Sequence, residues 1–330
     1  MSDRKRIYVA YVGGTIGMQA TEGGYAPVPG HLTAQVRDRP ELSEELTITE
    51  YEPLLDSANA RPSDWLRIAR DIAERRHDYD GFVVLHGTDT MAYTASALAF
   101  LLRGLGKPVI ITGSQIPLGV LRSDGRQNFL TAVLVAARDD VKEVCLVFGS
   151  KILRGARAVK ARASGFEAFT SPNVPPLGEA GVEIEIDESR LLTPEPGEIS
   201  LPLALDAPVG VLRLYPGMPA AFLSAALSAA RGLVLEAYGA GTIPDADPEF
   251  VAALAERGVV VAVVSQCVDG RVDLSAYKAS APLIEAGAVG GLDMTTEAAY
   301  AKLVVLLSEG HAPDDVRRLF ATDLAGELTV

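Results

Sequence analysis

The sequence predicts an α/β protein. A larger N-terminal domain, with a parallel-rich sheet flanked by helices, is expected to be joined by a linker to a smaller α/β C-terminal domain. Short, continuously apolar runs alternate with segments of helical periodicity, which is typical of parallel strands covered by helices on both faces. The alternation stops once, in an acidic and proline-rich stretch, and then resumes. With 330 residues and 48% hydrophobic content, the chain is long enough for two domains.

The first domain is predicted to span residues 1–186. Its strands are expected at the apolar runs 7–12, 81–86, 108–112 and 143–148. Helices are expected between them, at residues 62–76, 92–102 and 128–138. In the first of these helices, Trp65, Ile68 and Ile72 fall on one stripe after a Ser63-Asp64 start. This order of strand and helix predicts a covered sheet rather than an all-β or all-α domain.

The predicted linker covers residues 187–208, which include the string TPEPGEISLPLALDAP. Its prolines prevent a long helix, and its composition is typical of a connection between domains. The second domain is then predicted at residues 209–330. Its strands are expected at 209–214, 232–237 and 259–264, with helices from about residue 220 and at 248–257.

Charge and residue spacing exclude several classes of function. The formal net charge of −13 argues against nucleic-acid binding, because neutralising phosphates requires a basic surface. The four histidines lack the spacing of metal ligands, so a metal site is not expected. They are His31, His77, His86 and His311.

The sequence also predicts the compartment. The N-terminal apolar stretch is too short for a signal-peptide core, and no run is long enough to span a bilayer. The two cysteines, Cys145 and Cys267, each lie in a short apolar run and are expected to be buried, reduced thiols. A cytoplasmic protein without a membrane partner is therefore predicted.

Three glycine-rich or polar segments follow predicted strands or loops, at residues 13–17, 56–59 and 86–91. Ligands of open parallel sheets bind beyond the carboxyl ends of the strands, so these segments are candidates for a site. The first lacks the glycine spacing of dinucleotide and phosphate loops. On sequence alone it could be an ordinary turn, and Thr88 and Asp89 could simply cap the following helix.

Threonine hydroxyls are the candidate nucleophiles, because no Ser-His or Cys-His pair is evident. Thr15 and Thr88 each follow a predicted strand of the same sheet. A threonine needs a base to attack a carbonyl, and a lysine held close by can supply one. Lys160 is the candidate, although the sequence alone favours an exposed lysine in a basic loop beside Arg154, Arg157 and Arg162.

Several strings together resemble the asparaginase/glutaminase family, over nearly the whole chain. They are VAYVGGTIG, GFVVLHGTDTM and RGARAVKARASGFEAFTSPN. GHL after GGYAPVPG, DSANARPSDW and GGLDMTTEAA resemble the cytosolic (type I) class of that family. The resemblance implies Thr15 as nucleophile on a mobile flap that carries Tyr25. It also implies a second cluster formed by Thr88, Asp89 and Lys160.

The resemblance further implies a pocket for the amino-acid head of the substrate. Asp56, Ser57 and Ala58 would line it, together with Thr88 and Asp89. Three positions depart from the pattern. Val12 replaces a threonine before the glycine pair, Ala58 replaces a polar residue, and Thr242 replaces an asparagine.

The activity implied is hydrolysis of L-asparagine to L-aspartate and ammonia through an acyl-enzyme, without a cofactor. A glutaminase, an amidotransferase subunit and a non-catalytic amino-acid sensor remain the alternatives. The resemblance also implies a homo-oligomer, a dimer or tetramer. Residues 17–30 are glycine-rich and hold Tyr25, which predicts a lid over the site.

Overall fold

The computed structural model describes residues 4–36, 42, 44–245, 247–254 and 258–330. The chain divides into two compact units, Met1–Ser200 and Leu201–Val330. The division falls within the segment 187–208 that its composition predicts as a linker. The predicted domain boundaries themselves stay a prediction.

The first unit contains twelve strands and four helices among its described residues. The strands are β1 Arg6–Gly13, β2 Met18–Thr21, β3 Gly24–Pro27, β4 Glu45–Leu55, β5 Gly81–Leu85, β6 Val109–Thr112, β7 Val144–Phe148, β8 Lys151–Arg154, β9 Val159–Lys160, β10 Phe169–Thr170, β11 Gly178–Ala180 and β12 Ile184–Ile186. The helices are α1 His31–Val36, α2 Pro62–Glu74, α3 Met91–Leu101 and α4 Gly125–Ala136.

Eight of these strands form one sheet in the order β12-β11-β8-β7-β6-β5-β1-β4. The five strands from β7 to β4 are parallel, whereas β8, β11 and β12 are antiparallel to their neighbours. On one face, Ile7 and Val9 share a buried cluster with Leu32 of α1 and Phe129 of α4. Strand β5 is buried along its whole length. The predicted parallel-rich sheet flanked by helices is confirmed.

Strand β4 is the main element that the sequence pattern misses. It lies at the edge of the sheet and pairs only with β1, from Arg6 opposite Glu45 to Gly13 opposite Leu55. Its sequence, ELTITEYEPLL, mixes exposed and half-buried positions and never forms a continuous apolar run. An edge strand has one open side, so burial does not impose such a run on it. Because β4 is parallel to β1, it carries residues 56–59 to the same edge of the sheet as residues 13–17.

The second unit is built on a four-stranded parallel sheet in the order β13-β14-β15-β16. The strands are β13 Val209–Arg213, β14 Gly232–Ala237, β15 Val260–Ser265 and β16 Val289–Gly290. The helices are α5 Ala220–Ala229, α6 Pro248–Leu254, α7 Ala281–Glu285, α8 Thr296–Ser308 and α9 Pro313–Phe320. The predicted helix 248–257 extends into residues 255–257, which lie outside the described residues.

Alternate residues of β14 pack into two separate cores. Leu233 and Leu235 join a cluster with Phe250 of α6, whereas Val234 joins one with Leu303 of α8 and Phe320 of α9. The smaller α/β unit predicted after the linker is therefore present.

The cysteine prediction is half wrong. Cys145 is buried in β7, but Cys267 is exposed because it lies two residues beyond the end of β15, where the chain has left the sheet. Within the described part of the chain, no helix is both long and apolar enough to cross a membrane.

Candidate active site

Three strand-end segments meet at the carboxyl edge of the large sheet, and glycines allow the contact. Gly14 has a φ of +92°, and a Cβ at this position would lie 2.3 Å from the backbone nitrogen of Gly87. A Cβ on Gly87 would lie 2.4 Å from the Oγ of Ser57. A side chain at either position would collide with its neighbour. The turns that follow β1, β4 and β5 are therefore in direct contact.

Thr15 opens a 3₁₀ turn, Thr15–Gly17, directly after these glycines. The next residue, Ile16, is buried, and its carbonyl accepts a 3.0 Å hydrogen bond from the Leu118 backbone N–H. Thr15 itself is half-buried, and its hydroxyl makes no hydrogen bond to the described residues. Ile16 thus fixes the turn to the interior, while the Thr15 hydroxyl stays available to a ligand.

Thr88, Asp89 and Lys160 form a single hydrogen-bonded cluster. The Nζ of Lys160 donates to the Oγ1 of Thr88 at 2.8 Å and to an Oδ1 of Asp89 at 2.7 Å. The Lys160 side chain is only 17% exposed, whereas that of Asp89 is 65% exposed. The structure thus brings Lys160 into contact with Thr88 and Asp89, which lie more than 70 positions before it in the sequence. Its geometry does not fit the alternative of an ordinary surface lysine.

The hydrogen bonds of the cluster run in a defined direction, and its two ends differ in exposure. Because Lys160 donates to Thr88, the hydroxyl oxygen of Thr88 is the acceptor, and its own hydrogen is directed to another partner. Thr88 is 7% exposed, so this hydroxyl sits at the inner end of the cluster. Asp89 forms the outer end, with its carboxylate open to solvent. A cationic group of a substrate could therefore reach Asp89, while the reacting group would be met by hydroxyls.

His86 positions the loop that presents Thr88, and sequence reasoning missed this role. Its Nδ1 lies 2.7 Å from the carbonyl oxygen of Gly87, and its Nε2 lies 3.1 Å from the Thr94 hydroxyl. A carbonyl can only accept, so Nδ1 carries the hydrogen and Nε2 accepts from Thr94. Burial lowers the pKa of His86, which keeps the ring neutral. Its place directly after a continuous apolar run was the available sequence signal.

The predicted head-group residues lie on the 3₁₀ turn Ser57–Asn59 that follows β4. Asp56 caps this turn, since its carboxylate accepts a 3.2 Å bond from the Ala58 backbone N–H. Ser57 is buried, and its carbonyl accepts a 2.8 Å bond from the Thr90 hydroxyl. Ala58 is exposed. The turn is thereby tied to the loop that carries Thr88 and Asp89.

A fourth strand end, after β6, was not singled out from the sequence. Asp124 accepts hydrogen bonds from the backbone N–H groups of Gln115 and Ile116 at 3.0 to 3.1 Å. Ser114 is 1% exposed, and within the described part of the chain its hydroxyl has no hydrogen-bond partner. The string GSQ after the run 108–112 repeats the glycine-then-polar pattern of the other strand ends, and this pattern could have identified it.

Tyr25 is a predicted catalytic residue that has no hydrogen bond to Thr88, Asp89 or Lys160 among the described residues. It lies on β3, opposite Ala20 of β2 in an antiparallel hairpin. Its side chain is 53% exposed and makes no hydrogen bond to the described residues. The predicted lid, residues 17–30, therefore has the form of a hairpin that extends from the Thr15 turn.

Comparison with known proteins identifies the family. Residues 6–192 match the family described as asparaginase, N-terminal, and residues 208–320 match the glutaminase/asparaginase C-terminal domain. The chain belongs to the asparaginase family. The family resemblance of its sequence motifs is thereby confirmed.

Relatives of this asparaginase-family chain match along its whole length. It is 48% identical over 338 residues to L-asparaginase 1 of Escherichia coli strain K12, with 99% of this chain and 98% of that protein covered. The crystal structure of L-asparaginase I from Vibrio cholerae superposes with a TM-score of 0.91 at 45% identity, covering 99% and 100%. The thermostable L-asparaginase of Thermococcus kodakarensis gives 0.88 at 33% identity, covering 98% and 99%.

Two of the positions at which this asparaginase-family chain departs from the family pattern, Val12 and Thr242, can be placed in the fold. Val12 is buried in β1, and its apolar side chain needs no hydrogen-bond partner there. Thr242 lies in the second unit, and its backbone N–H donates to the carbonyl of Tyr238 at 2.8 Å. No group of three or more metal-ligating side chains occurs among the residues that the structure describes.

Proposed function

We propose that the protein is an L-asparaginase that hydrolyses the side-chain carboxamide of L-asparagine to L-aspartate and ammonia. One observation carries the proposal. The Thr15 hydroxyl, which has no hydrogen-bond partner among the described residues, follows one strand, and Thr88, which accepts from the same Lys160 ammonium that is bonded to Asp89, follows the neighbouring strand. Membership of the family and relatives named L-asparaginase along the whole chain support the same activity.

Substrate recognition is proposed to rest on the charges of the amino-acid head. Asp89 is exposed enough to pair with the α-ammonium, while the Ser57 hydroxyl and nearby backbone N–H groups bind the α-carboxylate. Asp56 and Ala58, on the same turn, complete this side of the pocket. Charge-assisted hydrogen bonds contribute roughly 1.5–3 kcal/mol each, against about 0.5–1.5 kcal/mol for neutral ones. These bonds therefore orient the carboxamide towards the threonines.

In the proposed chemistry, the Oγ of Thr15 attacks the carboxamide carbon and forms an ester with the substrate acyl group. The Thr15 proton passes to the leaving nitrogen, and the C–N bond breaks to release ammonia. Backbone N–H groups of the glycine turn and the Thr88 hydroxyl stabilise the oxyanion. Water then attacks the ester and releases aspartate. Tyr25 is proposed to join Thr15 when the hairpin closes.

Lys160 is proposed to activate the site through Thr88. Its ammonium donates to the Thr88 hydroxyl and to the Asp89 carboxylate, so a proton passed from the ammonium to Asp89 leaves a neutral amine that can accept the hydrogen of the Thr88 hydroxyl. No cofactor takes part in this scheme. Asparagine is expected to be preferred over glutamine, since one methylene typically gives about 1–3 kcal/mol of discrimination.

The proposal extends to assembly and location. A homodimer or homotetramer in the cytoplasm is inferred from membership of the family and from similarity to L-asparaginase 1. Nucleic acid is not a partner of a chain with net charge −13. Light scattering on the purified, active protein tests the assembly, and an active monomer would contradict it.

Ammonia release from purified protein, measured with asparagine and with glutamine, tests the activity. Ammonia and aspartate in equal amounts, with a higher kcat/KM for asparagine, are expected. Equal or faster turnover of glutamine would assign a glutaminase instead. Binding of asparagine without ammonia release would assign a non-catalytic sensor.

A further inference from the structure

Glu50 on strand β4 is bonded to the far end of the hairpin segment. One of its carboxylate oxygens accepts from the backbone N–H of Gly30 at 2.6 Å. The other accepts from the backbone N–H of Thr33 at 3.1 Å and from the Thr33 hydroxyl at 2.7 Å. Three donors therefore converge on a single half-buried side chain, at the point where the chain leaves the hairpin and enters α1.

Tyr11 holds the near end of the same segment. Its buried hydroxyl donates to the carbonyl oxygen of Gly14 at 3.3 Å, and a Cβ on Gly17 would lie 2.2 Å from this hydroxyl. Tyr11 and Glu50 are partners in the parallel pairing of β1 with β4. Adjacent positions of two neighbouring strands thus hold the two ends of residues 14–33.

Between these ends the chain has few attachments. Ile16 and Leu32 are buried in one core cluster, which fixes the base. At the tip, Cβ atoms added to Gly23 and Gly24 would meet no other atom within 4 Å. The β2–β3 hairpin, residues 18–27, is therefore fixed at its base and open at its tip, which is the arrangement of a hinged arm.

We propose that Glu50 is a positioning residue for the reaction, which sets the hinge of the β2–β3 hairpin and thereby the approach of Tyr25 to the Thr15 turn. This inference rests on the proposed function. The carboxylate is specifically suited to the role because both oxygens accept hydrogen bonds. A glutamine has the same shape but offers one acceptor oxygen, and its NH₂ group would face an N–H or O–H donor.

The test compares Glu50→Gln with Glu45→Gln, a matched change of charge at an exposed position of the same strand. Steady-state kinetics with asparagine, thermal melting and hydrogen exchange of the hairpin peptides are measured for each. Glu50→Gln is expected to lower kcat about tenfold or more, since small displacements of reacting groups have large effects on rate. KM and the melting temperature should stay close to those of the wild type. Exchange of the hairpin amides should become faster, and Glu45→Gln should match the wild type throughout.

A second pair of variants separates the hydroxyl bond from packing. Thr33→Ser keeps the hydroxyl that donates to Glu50 and should retain the wild-type kcat, whereas Thr33→Val removes that bond and should lower kcat. Equal kcat values for these two variants would contradict the assignment.

Two further outcomes would overturn the proposal. One is a normal kcat for Glu50→Gln. The other is a loss of activity accompanied by faster exchange throughout the first unit, because that result indicates a general role in stability. The exchange measurement does not depend on turnover. If the wild type releases no ammonia from asparagine, unchanged hairpin exchange in Glu50→Gln still refutes the hinge, independently of the proposed function.

Discussion

The two units place polar groups at the carboxyl edge of a parallel sheet in opposite ways. In the first unit, the Lys160 ammonium is shared between Thr88 and Asp89, and the Thr15 hydroxyl has no partner among the described residues. In the second unit, β14 ends near Glu236, which accepts from the Thr296 hydroxyl at 2.6 Å. Glu236 also pairs with Arg213 at 3.5 Å. Among the described residues, the first edge leaves a threonine hydroxyl without a partner, whereas the second edge pairs the Glu236 carboxylate with two neighbouring side chains.

The physical difference lies in what fills the space between strand ends. In the first unit, Gly14 and Gly87 bring two backbone turns into contact, and neither position carries a side chain that would separate them. In the second, Gln266 spans the equivalent space and donates to the carbonyls of Leu214 at 2.6 Å and Glu236 at 2.8 Å. Both parallel sheets therefore have a polar edge. We expect chemistry at the first, where two glycines hold the turns in contact and the Thr15 hydroxyl has no partner among the described residues.

The largest expected effect is the loss of activity on removing the Thr15 hydroxyl, the proposed nucleophile of the first edge. Thr15→Ala should lower kcat by about 10³-fold or more with KM largely kept, since the hydroxyl acts only in the reaction. Thr296→Ala, the matched change at the edge of the second sheet, should keep kcat close to the wild type. Ammonia release under saturating asparagine measures both. Equal losses would mean that the two edges do not differ as described.

The next effect concerns stability in the second unit. Lys302 and Glu327 form an ion pair that is completely buried, and the Lys302 ammonium also donates to the carbonyls of Phe320 at 2.8 Å and Thr322 at 2.6 Å. Glu327→Gln removes one charge of a buried pair and should lower the free energy of unfolding by about 3–5 kcal/mol.

Chemical denaturation measures this loss, with Asp315→Asn as the control. Asp315 forms an exposed pair with Arg318, whose removal should change stability by less than about 1 kcal/mol. A Glu327→Gln variant as stable as that control would show that the negative charge of Glu327 does not contribute to the stability of the second unit.

A smaller effect depends on pH. Burial, with a smaller contribution from Glu236, raises the pKa of Glu297 from 4.5 to about 7. The folded protein therefore holds a proton that the unfolded chain releases between these values, so stability falls as pH rises through this window. Glu297→Gln should be about 3 kcal/mol more stable than the wild type at pH 8 and nearly equal to it at pH 4. Thermal melting at both pH values checks this, and a difference that does not change with pH would refute it.

The elements that could be predicted from the sequence are those whose burial requires a recognisable apolar pattern. Strands such as β5 and β15 are covered on both faces and therefore appear as continuous apolar runs. Strand β4 escaped because an edge strand is only partly covered. The glycine pairs after predicted strands indicated the carboxyl-edge site, since close backbone contact needs glycine at a few positions.

The contacts within the site were harder to predict because they join distant residues through backbone groups. His86 and Glu50 act on carbonyl and N–H groups, which leave no mark in the sequence of their partners. Lys160 lies 72 residues from Thr88, in a segment that is basic enough to describe an exposed loop. Here the family resemblance placed Lys160 beside Thr88, whereas residue patterns alone favoured solvent.

We attribute the reactivity of the first edge to the Lys160 cluster, and the kcat of Lys160→Met decides whether this is right. Arg162→Met is the matched control, since Arg162 is an exposed cation two residues away that donates to the carbonyl of Glu167 at 3.3 Å. We expect Lys160→Met to lose about 10²–10⁴-fold in kcat with KM largely kept, while Arg162→Met stays near the wild type. A Lys160→Met variant with near-normal kcat, beside an inactive Thr15→Ala, would contradict it and would require another group to activate Thr15.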